Sequence, residues 1–170
     1  MDSRTEAQFL ESYKEHADAL FRYCYFKTLQ REEAKDMLQD VFVKTWEYIN
    51  KGGEVENMKA FLYRTAHNIV VDHYRKKKTV SLDDLADQGF DPGADTTQEL
   101  ENQIDGAHAI SLLNKIPDAY RDVIFMQYVD GLSVKEIADI LGETPNNVSV
   151  KIHRGLEKLR KVYNDNGSRN

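Results

Sequence analysis

Apolar residues recur at every third or fourth position along much of the N-terminal half, which is the spacing of one face of an α-helix. Three such stripes cover residues 9–24, 34–49 and 58–69, and Gly52 and Gly53 separate the second from the third. No segment shows a convincing alternation of apolar and polar residues, as a half-buried strand would. With only 3 prolines and 9 glycines in 170 residues, turn signals are sparse. The pattern predicts an all-α fold.

The C-terminal part of the chain has the sequence pattern of a helix-turn-helix. Ser133 precedes a short amphipathic segment and Glu136 follows three residues later, which is the spacing of a capping box. Gly142 suits a left-handed helix end, and Thr144 followed by Pro145 suits the start of the next helix. The apolar stripe of this second helix consists of Val148, Ile152, Leu156 and Leu159.

The opposite face of this second helix carries small polar groups near its start and cations further along. A helix that recognises duplex DNA needs that order, because short polar groups reach base edges and cations reach phosphates. The candidate residues are Asn147, Ser149, Val150, Lys151, His153 and Arg154. The alternative is an exposed helix face in an ordinary bundle, but the caps, the glycine turn and the basic tail together favour DNA binding.

A second polar face lies on the third predicted helix of the N-terminal half. Asn and Asp can bond the edges of unpaired bases, and aromatic rings can stack on them. The candidate residues are Arg64, Asn68, Asp72, Tyr74 and Arg75. The spacing alone favours an exposed face held by Arg64–Asn68 and Asp72–Arg75 pairs. The basic run at 75–78 suits the C-terminal end of a helix, yet four successive cations exceed what capping needs and favour a phosphate contact.

The charge is unevenly distributed, which matters more than its net value of −6. Eight acidic residues and no basic one lie between Ser81 and Asp105, so the remainder of the chain carries +2. This acidic stretch lacks sustained apolar periodicity and is predicted to be a linker. The expected organisation is therefore a helical domain at 1–78, an acidic flexible linker at 79–106 and a second small helical domain at 107–170.

Several classes of function find no support in the sequence. The single cysteine, Cys24, falls on an apolar stripe and is expected in the core. There is no phosphate-binding loop, dinucleotide loop or His-Glu-x-x-His pattern, so we expect no enzyme activity, no cofactor and no metal site. No apolar run or secretory signal is present, so we expect a cytoplasmic protein without membrane insertion.

Three segments in this order resemble a bacterial RNA polymerase sigma factor of the extracytoplasmic-function (ECF) group, group IV. Residues 33–49 are similar to the core-binding helix, with its Asp-x-x-Gln-Glu/Asp-x-Phe pattern. Residues 59–78 are similar to the helix that recognises the −10 element, and residues 112–161 to region 4, which recognises the −35 element. The resemblance spans nearly all residues from Phe9 to Val162.

The resemblance implies roles for individual residues. Docking on core RNA polymerase is implied for Asp36, Gln39, Asp40, Phe42 and Val43, although the protein core can claim Phe42 and Trp46 instead. Contact with the melted −10 strand is implied for Arg64, Asn68, Asp72, Tyr74 and Arg75. Contact with −35 duplex DNA is implied for Asn147, Ser149, Val150, Lys151, His153 and Arg154. The loop at 51–57 matches the segment that accepts a flipped-out base.

The implied partners are core RNA polymerase, promoter DNA and an anti-sigma factor. The chain departs from the family pattern at Phe61, where Trp is usual. It also departs at Asn146 and Asn147, where Gly-Thr is common, and at Ser149 and Val150, where a basic residue and Ser are common. The departures from 146 to 150 predict an altered −35 preference, with Val150 able to contact a thymine methyl group.

Two alternatives stay open beside this resemblance. A helix-turn-helix regulator that binds duplex DNA as a dimer without the polymerase core would leave the motif at 36–43 and the acidic linker unexplained. A small helical enzyme, or a bundle that only binds a partner, would need a pocket with clustered titratable groups, which the sequence does not show.

Overall fold

In the computed structural model, which describes residues 2–81 and 111–168, every regular element of those residues is a helix. The chain divides into two units between residues 97 and 98. The predicted all-α, two-domain architecture is confirmed. Helix 58–81 extends three residues past the predicted domain end at 78. The rest of the predicted acidic linker, and the first residues of the second predicted domain, lie outside the described residues.

The N-terminal unit consists of three mutually packed helices, α1 (Ser3–Thr28), α2 (Arg31–Asn50) and α3 (Met58–Ser81). Asp2 caps the start of α1, and Leu29 ends that helix in the left-handed conformation with φ 56°. The core lies where the three apolar stripes meet. Its fully buried side chains include Leu20, Tyr23, Cys24, Val41, Leu62, Tyr63 and Ala66. The expected burial of Cys24 is confirmed.

The loop between α2 and α3 is held by an aromatic side chain. The N–H of Gly53 donates to the carbonyl oxygen of Tyr48 at 3.0 Å, and the Tyr48 ring lies directly over Gly53. The same ring contacts Phe61 with centroids 4.9 Å apart. Any side chain at Gly53 would collide with Tyr48, so the glycine allows the close approach that fixes this loop.

The C-terminal unit contains α4 (Asp118–Ile124), a π-helical turn (Phe125–Val129), α5 (Val134–Leu141) and α6 (Pro145–Gly167). The sequence pattern predicts the helix around Tyr120 to Tyr128 but not its widened last turn. In that turn the N–H of Asp130 donates to the carbonyl of Phe125 at 3.2 Å. The chain therefore leaves the helix with this backbone donor satisfied.

The predicted helix-turn-helix signals are confirmed in detail. Ser133 and Glu136 form the reciprocal capping box, with bonds of 3.1 and 2.8 Å. Gly142 adopts φ 67° after α5, and Thr144 accepts from the N–H of Asn147 at 3.2 Å. These bonds satisfy backbone groups that helix ends otherwise leave unpaired.

The packing of α6 on α4 depends on a second close approach. A Cβ atom at Gly155 would lie 2.6 Å from Cδ1 of Ile124 and 3.1 Å from Cβ of Tyr120. Beside this crossing, the Lys158 ammonium lies 5.5 Å from the centre of the Tyr120 ring. Val148 and Ile152 complete the buried stripe of α6. Helix α6 thus packs against α4 through this face, and its opposite face is exposed to solvent.

Candidate nucleic-acid interface

The predicted −10 residues lie on the solvent side of α3. Leu62, Ala66 and Val70 face the core, whereas Arg64 and Asn68 are exposed. The periodicity of α3 therefore separates a packing face from a polar face, as a base-binding helix requires. The Asn68 amide carries both donors and acceptors for a base edge.

Three other members of this face are engaged within the protein. Asp72 and Arg75 form an ion pair at 3.2 Å, which was the alternative interpretation of their spacing. The Tyr74 hydroxyl donates to the carbonyl oxygen of Lys27 near the end of α1. The Tyr74 side chain is nevertheless 44% exposed, so its ring is open to stacking while its hydroxyl joins α3 to α1.

The basic run at the end of α3 is also divided between internal and outward roles. Glu33 on α2 accepts from Lys77 at 3.0 Å and lies 3.2 Å from Nε2 of His73. Lys76 and Lys78 are exposed. Glu33 thus joins α2 to the C-terminal turns of α3, and Lys76 and Lys78 add positive charge beside the polar face.

The predicted polymerase-docking residues lie along α2. Asp36, Gln39 and Asp40 are exposed, and Val43 is 54% exposed. Asp36 and Asp40 also line a groove of about 240 Å³ between α2 and α3, together with Asp72. The acidic residues predicted to dock on the polymerase and the predicted −10 face therefore occupy adjoining surfaces.

Phe42 differs from the other members of the docking set because it is only 6% exposed. Its ring packs against Phe9 and Tyr13 of α1, with centroid distances of 6.1 and 4.6 Å. Phe42 therefore belongs to the protein core, which is one of the two outcomes that the sequence left open. Its ring packs beneath the exposed residues of α2 that are predicted to dock on the polymerase.

An apolar groove of about 390 Å³ continues from the docking residues toward α1. Leu10 and Tyr13 on α1 are 52% and 46% exposed, and Val43 faces them from α2. Leu10 was not among the residues predicted to form a binding surface, because it lies beside the apolar stripe of α1. Its apolar character next to Phe9 was the available signal.

The predicted −35 residues lie on the outward face of α6, with one exception. Asn147, Ser149, Val150, His153 and Arg154 are exposed. Lys151 is only 30% exposed and forms an ion pair with Glu143 in the turn before α6. His153 lies 3.3 Å from Glu157, and both side chains are largely exposed.

Two structural features are absent from residues 2–81 and 111–168. No helix there combines the length and apolarity needed to cross a membrane. No group of three or more His, Cys, Asp or Glu residues there is arranged to hold a metal ion.

A three-helix unit with a polar outer face and a helix-turn-helix unit are the architecture expected of a DNA-binding protein. The Sigma-70 region 2 family matches residues 12–80, and the Sigma-70, region 4 family matches residues 109–159. ECF RNA polymerase sigma factor SigW of Bacillus subtilis is 31% identical over 96% of this chain and 91% of its own length. The chain belongs to the ECF sigma factor family. It is an RNA polymerase sigma factor that directs promoter-specific transcription.

Other relatives and solved structures agree with this assignment. ECF sigma factor SigM of Bacillus subtilis is 26% identical, over 91% of this chain and 94% of its own length. The structure of CnrH in complex with the cytosolic domain of CnrY matches with a TM-score of 0.71 at 24% identity, over 94% of this chain and 90% of that chain. The sigma factor RpoE of Bartonella quintana, solved with the anti-sigma factor NepR, matches with a TM-score of 0.73 at 19% identity, over 92% of this chain and 97% of that chain. At these identities the structural likeness concerns the fold.

Proposed function

We propose that the protein is a group IV ECF sigma factor whose three outward surfaces divide the work of initiation. The α2 surface around Asp36, Gln39 and Asp40 docks on core RNA polymerase. The polar face of α3 binds the unpaired −10 strand, and the outward face of α6 binds −35 duplex DNA. The observation that carries the proposal is that α3 and α6 each expose polar groups able to bond base edges, opposite a buried apolar stripe that packs the helix in place.

Capture of the −10 strand relies on Asn68 and the aromatic and cationic side chains around it. Extruding a base from the duplex costs a few kcal/mol, and stacking returns about 1–3 kcal/mol per base. The Tyr74 ring offers a stacking surface, and Arg64 lies one helical turn from Asn68 for contact with the backbone. The ordered loop at 51–57, held by Tyr48 over Gly53, is the site proposed to accept a flipped-out base.

Recognition of the −35 element relies on groups near the start of α6. Asn147 and Ser149 supply short polar contacts to base edges, and Val150 supplies an apolar contact to a thymine methyl group. Arg154 and His153 lie one to two turns further on, where phosphates come within reach. Each small unit binds weakly alone, and the polymerase raises the effective concentration of the second contact once the first has formed.

The remaining assignments follow from the same proposal. The protein acts in the cytoplasm as a non-enzymatic factor without a cofactor, and an anti-sigma factor holds it until transcription is needed. CnrH and the Bartonella RpoE were each solved with a partner, which for RpoE is named as an anti-sigma factor. The acidic linker passes through a basic channel of the polymerase that is built for nucleic acid, because its carboxylates complement the charge of that channel.

A selection experiment tests the division between α3 and α6. Holoenzyme assembled from core polymerase and the full chain selects promoters from a library randomised in both elements. We expect Asn68→Ala to relax base preference in the −10 element alone, and Asn147→Ala to relax it in the −35 element alone. Asn164→Ala, another exposed helical asparagine, serves as the control and should change neither. If Asn68→Ala altered only the −35 element, or neither element, the assignment of α3 would be wrong.

A further inference from the structure

One cation on the proposed −35 face is held by a carboxylate within the helix-turn-helix. Lys151 and Glu143 form an ion pair, and their side chains are only 30% and 26% exposed. The cation further along this face, Arg154, is exposed. Lys151 is therefore more buried than Arg154, and its positive charge is paired with the carboxylate of Glu143.

The position of Glu143 is fixed by the turn to which it belongs. Its N–H donates to the carbonyl of Ala138 at 3.0 Å. Gly142 before it adopts φ 67°, and Thr144 after it caps α6. The backbone thus places this carboxylate beside the first turns of α6, where Lys151 reaches it.

Breaking this ion pair is costly because the carboxylate has few other partners. Its Oε2 atom is buried, and no hydrogen-bonding group of the described residues meets it. A partly buried pair is screened by salt far less than a pair on the surface. Removing the lysine would leave a half-buried charge without its partner, which is unfavourable. A DNA phosphate must therefore compete with Glu143 for the Lys151 ammonium.

We infer that Glu143 withholds Lys151 from the DNA backbone and so lowers the affinity of the C-terminal unit for duplex DNA. The inference rests on the proposed role of α6 at the −35 element. It makes Glu143 a positioning residue that acts through Lys151. The attraction of α6 to DNA of any sequence is thereby weakened. Discrimination between base sequences then depends on Asn147, Ser149 and Val150. This suits a factor that should bind promoters as part of the polymerase.

The salt dependence of DNA binding tests this inference, because each phosphate contact contributes about −0.9 to the slope of log K against log salt. The probe is a fully paired duplex of arbitrary sequence, which offers no unpaired bases to α3. For the full chain, we expect Lys151→Met to leave the slope unchanged. We expect Glu143→Gln to steepen it by about 0.9, which adds a factor of about 3 to the affinity gained between 200 and 50 mM salt. Lys151→Met in the Glu143→Gln background should restore the original slope.

Arg154→Ala is the matched control because Arg154 is an exposed cation on the same face. It should make the slope shallower by about 0.9. If Arg154→Ala changes nothing, the assignment of α6 to DNA is wrong and the inference falls with it. If Arg154→Ala makes the slope shallower as expected, and Lys151→Met in the wild-type background makes it shallower too, the inference about Glu143 is overturned. The assignment of α6 to DNA would then stand. A steeper slope for Glu143→Gln that persists in the double variant also overturns it. All slopes are measured below the melting transition of each variant, so that loss of folding does not enter the comparison.

Discussion

Single side chains decide which of the polar groups on α2, α3 and α6 are free for recognition. The Tyr74 hydroxyl bonds to Lys27, Lys151 pairs with Glu143, and Phe42 is buried beneath α1. Each of the three was a candidate contact in the sequence, and each serves the fold in part or entirely. Under the proposed function, we therefore expect recognition to depend on exposed groups such as Asn68, Gln39 and Arg154.

Two substitutions of Tyr74 can separate the role of its hydroxyl in stability from the proposed role of its ring in stacking. Tyr74→Phe removes the bond to the Lys27 carbonyl and keeps the ring, so we expect the free energy of unfolding to fall by about 0.5–1.5 kcal/mol. Open-complex formation by the holoenzyme should be retained. Tyr74→Ala removes the ring as well and should impair open-complex formation, measured by permanganate reactivity of unpaired thymines. Equal loss of open complexes in both variants would refute a stacking role.

Gly155 is the residue on which the approach of α6 to α4 depends. Gly155→Ala places a methyl group against Ile124 and Tyr120, and overpacking of this kind costs about 1–3 kcal/mol. Trp46 is the only tryptophan and lies in the N-terminal unit, so its fluorescence does not report on this change. We expect urea denaturation followed by circular dichroism to show an earlier transition, with the Trp46 transition unchanged. An unaltered circular dichroism transition would show that the crossing tolerates a side chain.

At the level of helices and turns, the C-terminal unit depends on its caps. Ser133→Ala removes the hydroxyl that accepts from Glu136, and the loss of an N-cap typically costs about 1 kcal/mol. Ser133→Asp keeps an accepting oxygen at the same position and is the matched control. We expect the alanine variant alone to shift the circular dichroism transition to lower urea. A shift of equal size in both variants would mean that the cap contributes through something other than its hydrogen bond.

The elements themselves were largely predictable because their signals are local. The capping box at Ser133, the left-handed Gly142 and the stripe of α6 all involve residues within a few positions of one another. The widened turn at Phe125–Val129 was not predictable. It arises where the chain turns to bury Leu132, a tertiary demand with no local sequence signal.

For the candidate sites, only the helix face that carries each residue could be predicted from the sequence. Helical periodicity places Asn68 and Arg64 on one side of α3, but it does not show which neighbouring helix takes up a polar group. The bond from Tyr74 to Lys27 and the pair of Lys77 with Glu33 span more than 40 residues. The pair of Lys151 with Glu143 crosses a turn. Such contacts depend on how the helices pack, so spacing along the chain could not reveal them.

The proposed function assigns the molecule one surface for the polymerase and two surfaces for DNA, and these should be separable by mutation. Asp36→Asn with Gln39→Ala removes a charge and an amide from the exposed side of α2. We expect the double variant to lose most co-purification with core polymerase and to keep the duplex binding of the free chain. Asp18→Asn, an exposed carboxylate on α1, is the control and should retain both activities. Loss of duplex binding together with polymerase binding would indicate unfolding or a misplaced docking surface.

The central claim is that this chain gives core polymerase a promoter specificity that neither possesses alone. Run-off transcription from a genomic promoter library, with core polymerase in the presence and absence of the protein, measures this directly. We expect new start sites that depend on the protein and share two upstream elements. Absence of any protein-dependent transcript, together with tight binding of the free protein to promoter duplexes, would contradict the account and identify a helix-turn-helix regulator instead.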